Sequence, residues 1–329
     1  MVYHEMISDI EIEHKVARDL KLWKISPQYL YLWDAAYFYY WVDPTENDLD
    51  IHNMWELTAS SLDYFSFIKE FVNESMPINF VSLWCWNSKI ELELIKSLMD
   101  AWYKLTYWWV DISKQMLDMS SRTLDCFTNL EKHFVHADFT SLSFLSYFSK
   151  LLLSDSRTVR SFLWRSITSQ KPSIVVDSLF NLMNTWDLLW LDALSFEENE
   201  INTKRKLYQR YESYMDKNHS SWDYAFYLLS SLWIKKESVK MNIKTSADEW
   251  ISSASVQFSF LFLEKCEVFF RWEKIYFLPW DEVDIMELRT YIPSLLKNYL
   301  SDYGFLFKGD DSTQTSSDLL ETQFLFEKI

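Results

Sequence analysis

The stretch "SKIELELIKSLMDAWYKLTYWWVDISKQMLDM" (residues 88–119) carries the pattern on which the fold prediction depends. Its apolar residues recur at three- and four-residue steps, which is the spacing of one face of an α-helix. The members of this stripe are Ile90, Leu94, Leu98, Ala101, Leu105, Trp108 and Ile112. The stretch therefore predicts one long amphipathic helix over residues 88–118.

Helical spacing and helix-start signals extend along most of the chain. Capping boxes begin at Asp43, Ser195 and Ser246, and Pro44 stands at the first helical position of the first of them. The run from Val256 to Phe262 alternates like a strand, but the intervening leucines favour a helix. The predicted helices span residues 4–25, 28–42, 50–74, 77–86, 88–118, 120–135, 139–153, 156–169, 173–194, 196–217, 220–237, 246–274 and 281–301.

This count of helices predicts an all-α fold. Short links between about a dozen helices favour antiparallel helix pairs stacked as an irregular helical solenoid of the HEAT-like kind. The sequence has no repeat of fixed period, so a large helical bundle is the alternative. We expect one elongated domain over residues 1–303, which could also divide near 170 or at 195–200. The polar segment that follows predicts a disordered acidic tail over 304–329.

Glycine is almost absent, and this absence excludes several classes of enzyme. Gly304 and Gly309 are the only glycines in 329 residues. The phosphate-binding patterns GxGxxG and GxxxxGK[ST], the nucleophile elbow GxSxG and the kinase glycine loop are all missing. Tight hairpins also favour glycine. The sequence therefore argues against P-loop NTPases, Rossmann oxidoreductases, kinases, α/β-hydrolases and hairpin-rich β folds. Gly304 itself fits the left-handed cap of the last helix.

Composition and charge limit the compartment and the partners. The chain is 49% hydrophobic, with 17 Trp, 19 Tyr and 24 Phe, and its formal net charge is −16. The negative charge argues against a general nucleic-acid coat. Three separated cysteines indicate a reducing compartment. The longest aromatic run, 29–42, is shorter than the ~20 residues that a membrane helix needs. We predict a nuclear protein, or a cytoplasmic one, that is neither secreted nor membrane-spanning.

Two basic clusters are candidates for contact with phosphates or an acidic partner. In each cluster some cations share a predicted helix face. The candidate residues are Arg157, Arg160, Arg165, Lys204, Arg205, Lys206 and Arg210. A solvated helix face is the favoured interpretation, and local nucleic-acid contact is the alternative.

A candidate magnesium site lies in the segment "NIKTSADE". Asn242, Thr245 and Glu249 fit the pattern N-x-x-[ST]-x-x-x-E, which resembles the metal-binding motif of class I terpenoid synthases. The resemblance implies an all-α enzyme that binds a diphosphate through magnesium. The upstream aspartate-rich motif of that family is missing, and an ordinary capping box at Ser246 is favoured. We therefore expect no catalytic residues, no cofactor and no metal.

Further short motifs have a functional and a structural interpretation. His133, His136 and Asp138 offer zinc-binding groups, but no further ligand is spaced to match, and polar residues around a helix end are favoured. The run Ile174, Val175, Val176 and Asp177 resembles a SUMO-interacting motif, which adds a strand to a partner's sheet. The first turn of a buried helix is the favoured alternative.

Two threonines in the predicted tail complete the candidate sites. Thr313 and Thr322 are each followed by glutamine and resemble target sites of DNA-damage kinases. An unmodified tail is the favoured alternative.

Together these features predict a non-catalytic scaffold or adaptor subunit of a multiprotein complex. The tail threonines, the SUMO-like run and the basic clusters favour a nuclear chromosome-maintenance or DNA-repair assembly, of the type that regulates SMC complexes. The expected partners are other protein subunits, with local nucleic-acid contact as an addition and no membrane. The alternatives are a terpenoid-synthase-like magnesium enzyme, a nucleic-acid-binding helical module and a vesicle-tethering subunit.

Overall fold

The computed structural model describes residues 1–33, 63–72, 76–84, 89–101, 103–152, 156–163, 166–169, 171–195, 209, 223–246, 252–270, 272–314 and 320–329. The strands are β1 Val2–Glu5, β2 Ile78–Leu83, β3 Leu105–Asp111, β4 Glu131–His136, β5 Arg157–Phe162, β6 Leu188–Ser195, β7 Val239–Ser246, β8 Ser252–Phe262, β9 Cys266–Phe270, β10 Glu273–Phe277, β11 Glu282–Tyr291, β12 Phe305–Gln314 and β13 Leu320–Lys328. The α-helices are α1 Asp9–Lys21, α2 Tyr64–Lys69, α3 Lys89–Asp100, α4 Lys114–Thr123, α5 Leu142–Phe148, α6 Ser166–Ser169, α7 Pro172–Leu182, α8 Asp223–Ser231 and α9 Pro293–Asp302, with 3₁₀ turns at Pro27–Tyr31 and Lys236–Ser238.

The prediction of an all-α fold, whether solenoid or bundle, is wrong. The described part of residues 88–119 forms helix α3, strand β3 and most of helix α4 rather than one helix. All seven residues of β3 are buried. A strand that is buried on both faces is apolar at nearly every position. Its residues therefore match the three- and four-residue spacing of a helix as well as the two-residue spacing of a strand. The apolar residues of β3 continue the stripe that begins in α3, so the sequence pattern does not mark the boundary between α3 and β3.

The main sheet has the order of a doubly wound α/β fold. Its parallel strands lie in the order β1-β4-β3-β2-β5-β6. The last two strands extend this row, because β13 pairs antiparallel with β6 and β12 pairs antiparallel with β13. In chain order, β3 and β4 therefore extend the sheet from β2 in one direction, and β5 and β6 then extend it from β2 in the opposite direction.

Apolar residues cover both faces of this sheet. One face carries Phe80, Tyr107 and Trp109 and packs against α2 and α3. The other carries Val81, Val110 and Phe162 and packs against α1, α5 and α7. Helices on both faces of a parallel sheet define the α/β class. The helices begin at ordinary caps, such as the Ser8 and Ser113 hydroxyls, which accept backbone N–H bonds from Glu11 and Met116.

A second group of strands lies beyond the end of β6. Strands β7, β8 and β11 form an antiparallel unit, and β11 meets β6 where Tyr291 is paired with Ser195. Strands β9 and β10 form a separate hairpin. The alternation of Val256, Phe258, Phe260 and Phe262 belongs to strand β8, so the preference for a helix there was wrong.

The predicted disordered tail is also wrong. Residues 305–314 and 320–328 form the paired strands β12 and β13, and seven of the nine residues of β13 are buried. Gly304 follows α9 with a φ of 95°, which confirms its predicted role as a left-handed helix cap. The alternative domain division near 170 or at 195–200 stays a prediction. No helix within the described ranges is long and apolar enough to cross a membrane.

Among the residues that the structure describes, the backbone is left-handed at six residues other than glycine, and all six are tryptophan. They are Trp23, Trp33, Trp84, Trp186, Trp233 and Trp280, with φ between 53° and 76°. A bulky residue with positive φ is a marked outlier, and the left-handed conformation costs about 1–2 kcal/mol for each such residue. Six of them cost about 6–12 kcal/mol, which matches the ~5–15 kcal/mol net stability of a typical domain. The sequence has only two glycines, but the backbone adopts at these tryptophans the conformation that glycine ordinarily supplies.

Candidate functional site

The order of the strands places a candidate ligand site at one edge of the sheet. Strands β2 and β5 lie side by side, and the chain leaves them in opposite directions. In open α/β sheets, ligands bind outside the carboxyl ends of the strands at this switch point. The site therefore lies between the residue after β2, Trp84, and the end of β5, Phe162. The neighbouring ends of β3 and β4 extend it; we call this edge the crevice.

Asp111 supplies a buried carboxylate at the end of β3. Its Oδ1 atom accepts a hydrogen bond from the Ser113 N–H at 2.8 Å. The Ser113 hydroxyl in turn accepts from the Met116 N–H at 3.3 Å and caps α4. The carboxylate is thus held by the turn that joins β3 to α4, within one strand of the switch point.

Asp138 supplies a second buried carboxylate just beyond the end of β4. Its Oδ2 atom accepts from Lys15 Nζ at 2.6 Å, and its Oδ1 atom accepts from the Thr140 N–H at 3.0 Å and the Thr140 hydroxyl at 2.6 Å. The ion pair with Lys15 ties α1 to this edge of the sheet. Both oxygens have fixed partners, so Asp138 holds the loop after β4 in place.

His136 lies between these carboxylates in sequence and is fully buried. Its Nε2–H donates to the Ile112 carbonyl at 3.0 Å. Burial lowers the pKa of His136, since it disfavours the charged imidazolium. The neutral ring therefore carries its lone pair on Nδ1, which lies 3.9 Å from Glu5 Oε1.

Trp84 occupies the switch point itself. Its backbone N–H donates to the Val110 carbonyl at 2.9 Å, and its φ is 60°. The indole is buried, and its ring centroid lies 6.2 Å from that of Phe162. The side chain therefore fills the place between β2 and β5 where the fold would admit a ligand. A glycine here would leave that place open.

The predicted zinc-binding residues do not converge. His133 stacks on Trp108 with 3.8 Å between ring centroids and hydrogen-bonds to His4 at 3.1 Å. His133 and His136 are three residues apart on one strand, so their side chains leave opposite faces of the sheet. Across the described part of the chain, no three His, Cys, Asp or Glu side chains form a group that could hold a metal ion.

The predicted basic patch is only partly described, and its described members are strand residues. Arg160 is fully buried in β5 and pairs with Asp187, while Arg157 lies 3.9 Å from Glu327. The remaining candidates lie outside the described residues: Arg165, Lys204, Arg205, Lys206 and Arg210.

The residues of the terpenoid-synthase-like motif fall on and after strand β7. Asn242 donates from Nδ2 to Glu282 Oε1 at 2.8 Å, and Thr245 lies three residues further along the strand. Glu249 lies outside the described residues. Asn242 and Thr245 thus belong to an antiparallel sheet rather than to the helix that the resemblance implies.

The remaining motifs lie in regular elements. Ile174, Val175, Val176 and Asp177 belong to helix α7, in which the two valines are buried. Strand addition requires an extended backbone, which this helix does not provide. Thr313 lies in β12. Thr322 is buried in β13, where its Oγ1 is 2.7 Å from Ser195 Oγ and 2.9 Å from Ser312 Oγ.

The fold can be compared with known proteins. No family model and no curated protein matches the chain. Solved structures of similar fold include a SAM-dependent methyltransferase from Methanosarcina mazei, with 17% identity over 82% of this chain and 99% of that one, at a TM-score of 0.43. Magnesium protoporphyrin IX methyltransferase from Synechocystis, solved with bound SAH, has 11% identity over 90% and 93% at 0.43. The [4+2]-cyclase SpnF has 8% identity over 86% and 85% at 0.41.

The predicted function is corrected by the fold. A non-catalytic helical scaffold depends on an all-α surface, and the chain instead forms a doubly wound α/β sheet. The prediction that the chain is not an enzyme depended on the same all-α fold and is corrected with it. So are the terpenoid-synthase-like, helical nucleic-acid-binding and vesicle-tethering alternatives. Association with other subunits, nucleic-acid contact and the nuclear location stay predictions.

The candidate residues predicted from the sequence do not include Asp111, and they give Asp138 no role at the edge of a sheet. Each follows a buried strand directly, in "TYWWVDIS" and "FVHADF". An acid at the end of an uninterrupted apolar run is the signal that could have found them, once the runs are recognised as strands.

Proposed function

We propose that this chain is a methyltransferase that binds S-adenosylmethionine in the crevice. The observation that carries the proposal is the position of Asp111, a buried carboxylate at the end of the strand next to the switch point. In doubly wound folds an acid at this position accepts hydrogen bonds from the ribose hydroxyls of a nucleoside cofactor. This cofactor replaces the earlier expectation that none is bound.

The charge of the crevice favours this cofactor over a nucleotide. Its described ionisable groups are mainly carboxylates, from Asp111, Asp138 and Glu5. Lys15 is engaged by Asp138, and Lys114 lies between Glu5 and Asp9 at 2.9 and 3.2 Å. A dinucleotide or a triphosphate brings negative charge, and both of these lysines, which could otherwise meet it, are already paired with carboxylates. S-adenosylmethionine carries a sulfonium cation and an ammonium group, which the carboxylates attract.

The chain's own groups would hold and orient this cofactor. The Asp111 carboxylate would accept from the ribose, and the loop fixed by Asp138 and Lys15 would form the adjoining wall. When bound, the cofactor supplies an electrophilic methyl group. The Trp84 indole is the one described feature that does not fit, because it fills the switch point.

Equilibrium binding of S-adenosylmethionine, measured by calorimetry, tests the proposal. The chain and its Trp84→Gly variant are both titrated, and binding is expected at least in the variant. Asp111→Asn should weaken that binding by about 10–100-fold, since hydrogen bonds to a charged group contribute about 1.5–3 kcal/mol. Asp177→Asn makes the same chemical change on the exposed face of α7 and should leave binding unchanged.

Two results would contradict the proposal. The first is the absence of binding in both the unmodified chain and the Trp84→Gly variant, with both shown to be folded by circular dichroism. The second is equal affinity in the Asp111→Asn and Asp177→Asn variants, which would remove the role of the β3 carboxylate.

A further inference from the structure

The six left-handed tryptophans lie at positions whose backbone geometry belongs to glycine. Trp23 and Trp233 each follow a helix at the position called C′. The backbone N–H of Trp23 donates to the Leu20 carbonyl, and the backbone N–H of Lys24 donates to the Asp19 carbonyl, both at 3.1 Å. This pair of bonds is the Schellman motif, whose left-handed residue is usually glycine.

The end of α8 repeats this arrangement. The Trp233 N–H donates to Ser230 O and the Ile234 N–H to Leu229 O, both at 2.9 Å. Gly304, one of the two glycines in the sequence, makes the corresponding bond after α9, from its N–H to Ser301 O at 3.0 Å. A tryptophan at one helix end and a glycine at another thus make the same backbone hydrogen bond at position C′.

Two further tryptophans occupy turns that select glycine. The Asp281 N–H donates to Leu278 O at 3.1 Å, which closes a turn with Pro279 second and Trp280 third. Proline followed by a residue of positive φ defines a type II turn, and that third residue is typically glycine. Trp186 is likewise the third residue of a turn closed by the Asp187 N–H and Asn184 O at 3.1 Å.

The side chains of four of these tryptophans are too exposed for their burial to offset the cost of the left-handed backbone. Trp23, Trp186, Trp233 and Trp280 are 42%, 66%, 84% and 75% exposed. A large apolar side chain that points into water does not compensate for an unfavourable backbone. By contrast, Trp190 lies in extended backbone, is fully buried and donates from Nε1 to Gln323 Oε1 at 3.1 Å.

The composition agrees with this geometry. Glycine ordinarily makes up about 7% of residues, or about 23 in a chain of this length. The sequence has 2 Gly and 17 Trp, so a deficit of glycine accompanies an excess of tryptophan. Six positions drawn at random from this sequence would almost never all be tryptophan. After β2, Trp84 and Trp86 also hold the first two glycine positions of the pattern G-x-G-x-x-G, with Lys89 at the third.

We infer that the chain made in its native cell carries glycine at these six positions, and that replacement of Trp84 by glycine opens the crevice. A single codon that one genetic code assigns to tryptophan and another assigns to glycine accounts for all six. The glycine assignment does not depend on the proposed function, whereas the opening of the crevice rests on it.

Mass spectrometry of peptides from the protein purified from its native cells tests the identity directly. We expect glycine at positions 23, 33, 84, 186, 233 and 280, so each peptide is lighter than its tryptophan form. A peptide that contains Gly304 reads glycine under either outcome and controls for the method. Tryptophan at these positions would overturn the inference. In the gene, the six positions should share one codon other than UGG, the standard tryptophan codon, and UGG at all six would overturn it equally.

A stability comparison tests the physical basis. Trp280→Gly should raise the ratio of folded to unfolded chain about tenfold above Trp280→Ala, because alanine keeps the Cβ that disfavours positive φ. At Trp190 the order should reverse, since glycine weakens an extended strand. If alanine equals or exceeds glycine at position 280, the backbone argument fails.

The two proposals fail separately. Glycine found at position 84 together with no binding of S-adenosylmethionine to the native protein would uphold the residue assignment and remove the proposed function. Tryptophan found at position 84 together with binding would do the reverse.

Discussion

Arg160 and Asp187 form a buried ion pair that joins the start of β6 to its neighbour β5. The Arg160 side chain is fully buried, and its Nη1 donates to Asp187 Oδ2. The same carboxylate oxygen accepts from the Asn184 N–H at 2.7 Å. A residue that was a candidate for a surface phosphate contact is therefore a structural group inside the sheet.

Asp187→Ala should lower the free energy of unfolding by about 3–5 kcal/mol, because it leaves the Arg160 charge buried without its counterion. Chemical denaturation in urea measures the change. Asp310→Ala removes the partner of Lys297 in a pair that is partly exposed on both sides, so its cost should stay below about 1 kcal/mol. Equal costs for the two variants would contradict the role of the Arg160 pair.

Thr322→Glu should destabilise the protein by more than about 3 kcal/mol, because it places a charge among the buried hydroxyls of Ser195 and Ser312. Thr313→Glu, on the less buried strand β12, should change stability by less than about 1 kcal/mol. Thermal unfolding of the two variants measures the difference. Small effects at both positions would indicate a flexible tail after all.

Stability should fall in mild acid because of His136. Its pKa is lowered in the folded state, so below about pH 6.5 the unfolded chain binds a proton that the folded chain does not. Its contribution is therefore complete above that pH and is lost as the pH falls towards the lower, folded pKa. Urea unfolding from pH 7.5 down to 5 measures this slope.

The control for this slope is His136→Asn, which should flatten part of the pH dependence. The remainder should come from groups such as His4, whose pKa is also lowered by burial. An unchanged slope in His136→Asn would show that the ring is not held neutral in the folded state.

Lys15→Met should destabilise the protein by about 1–3 kcal/mol, because it leaves the buried Asp138 carboxylate with only the Thr140 donors. Lys21→Met is the matched change on the same helix, where the lysine is mostly exposed and pairs with Glu273. It should cost less than about 1 kcal/mol. Differential scanning calorimetry of both variants checks the order.

Helix boundaries marked by unambiguous residues could be predicted from the sequence. Pro172 begins α7 as its first residue, and the helical interpretation of Val175 and Val176 is confirmed. Gly304 ends α9 as expected. These signals depend on the backbone preferences of single residues, so they can be interpreted without knowing how the strands pair.

The sheet could not be predicted, for two physical reasons. Strands such as β3 and β6 are buried on both faces, so their continuous apolar runs match helical spacing as well as strand spacing. The glycines that ordinarily separate strand from helix read as tryptophan, as at Trp84, and tryptophan adds to an apolar stripe rather than ending it. The role of Asp111 was missed for the same reason, since residue 111 falls inside the helix predicted over residues 88–118. Asp138 was named only as a zinc-binding candidate, because most of strand β4 was predicted as the end of the helix over 120–135.

The position of β13 between β6 and β12 also bears on how the chain folds. Ser195 and the Leu320 carbonyl to which it donates are separated by 125 residues, so the edge of β6 gains its partner only after that whole intervening chain has been synthesised and brought back. Contacts of such long range slow folding, and an unpaired hydrophobic edge invites association with other chains. We therefore expect the nascent protein to pass through a stage in which this edge of β6 is exposed, and its yield in the cell should depend on chaperones that bind it during that interval.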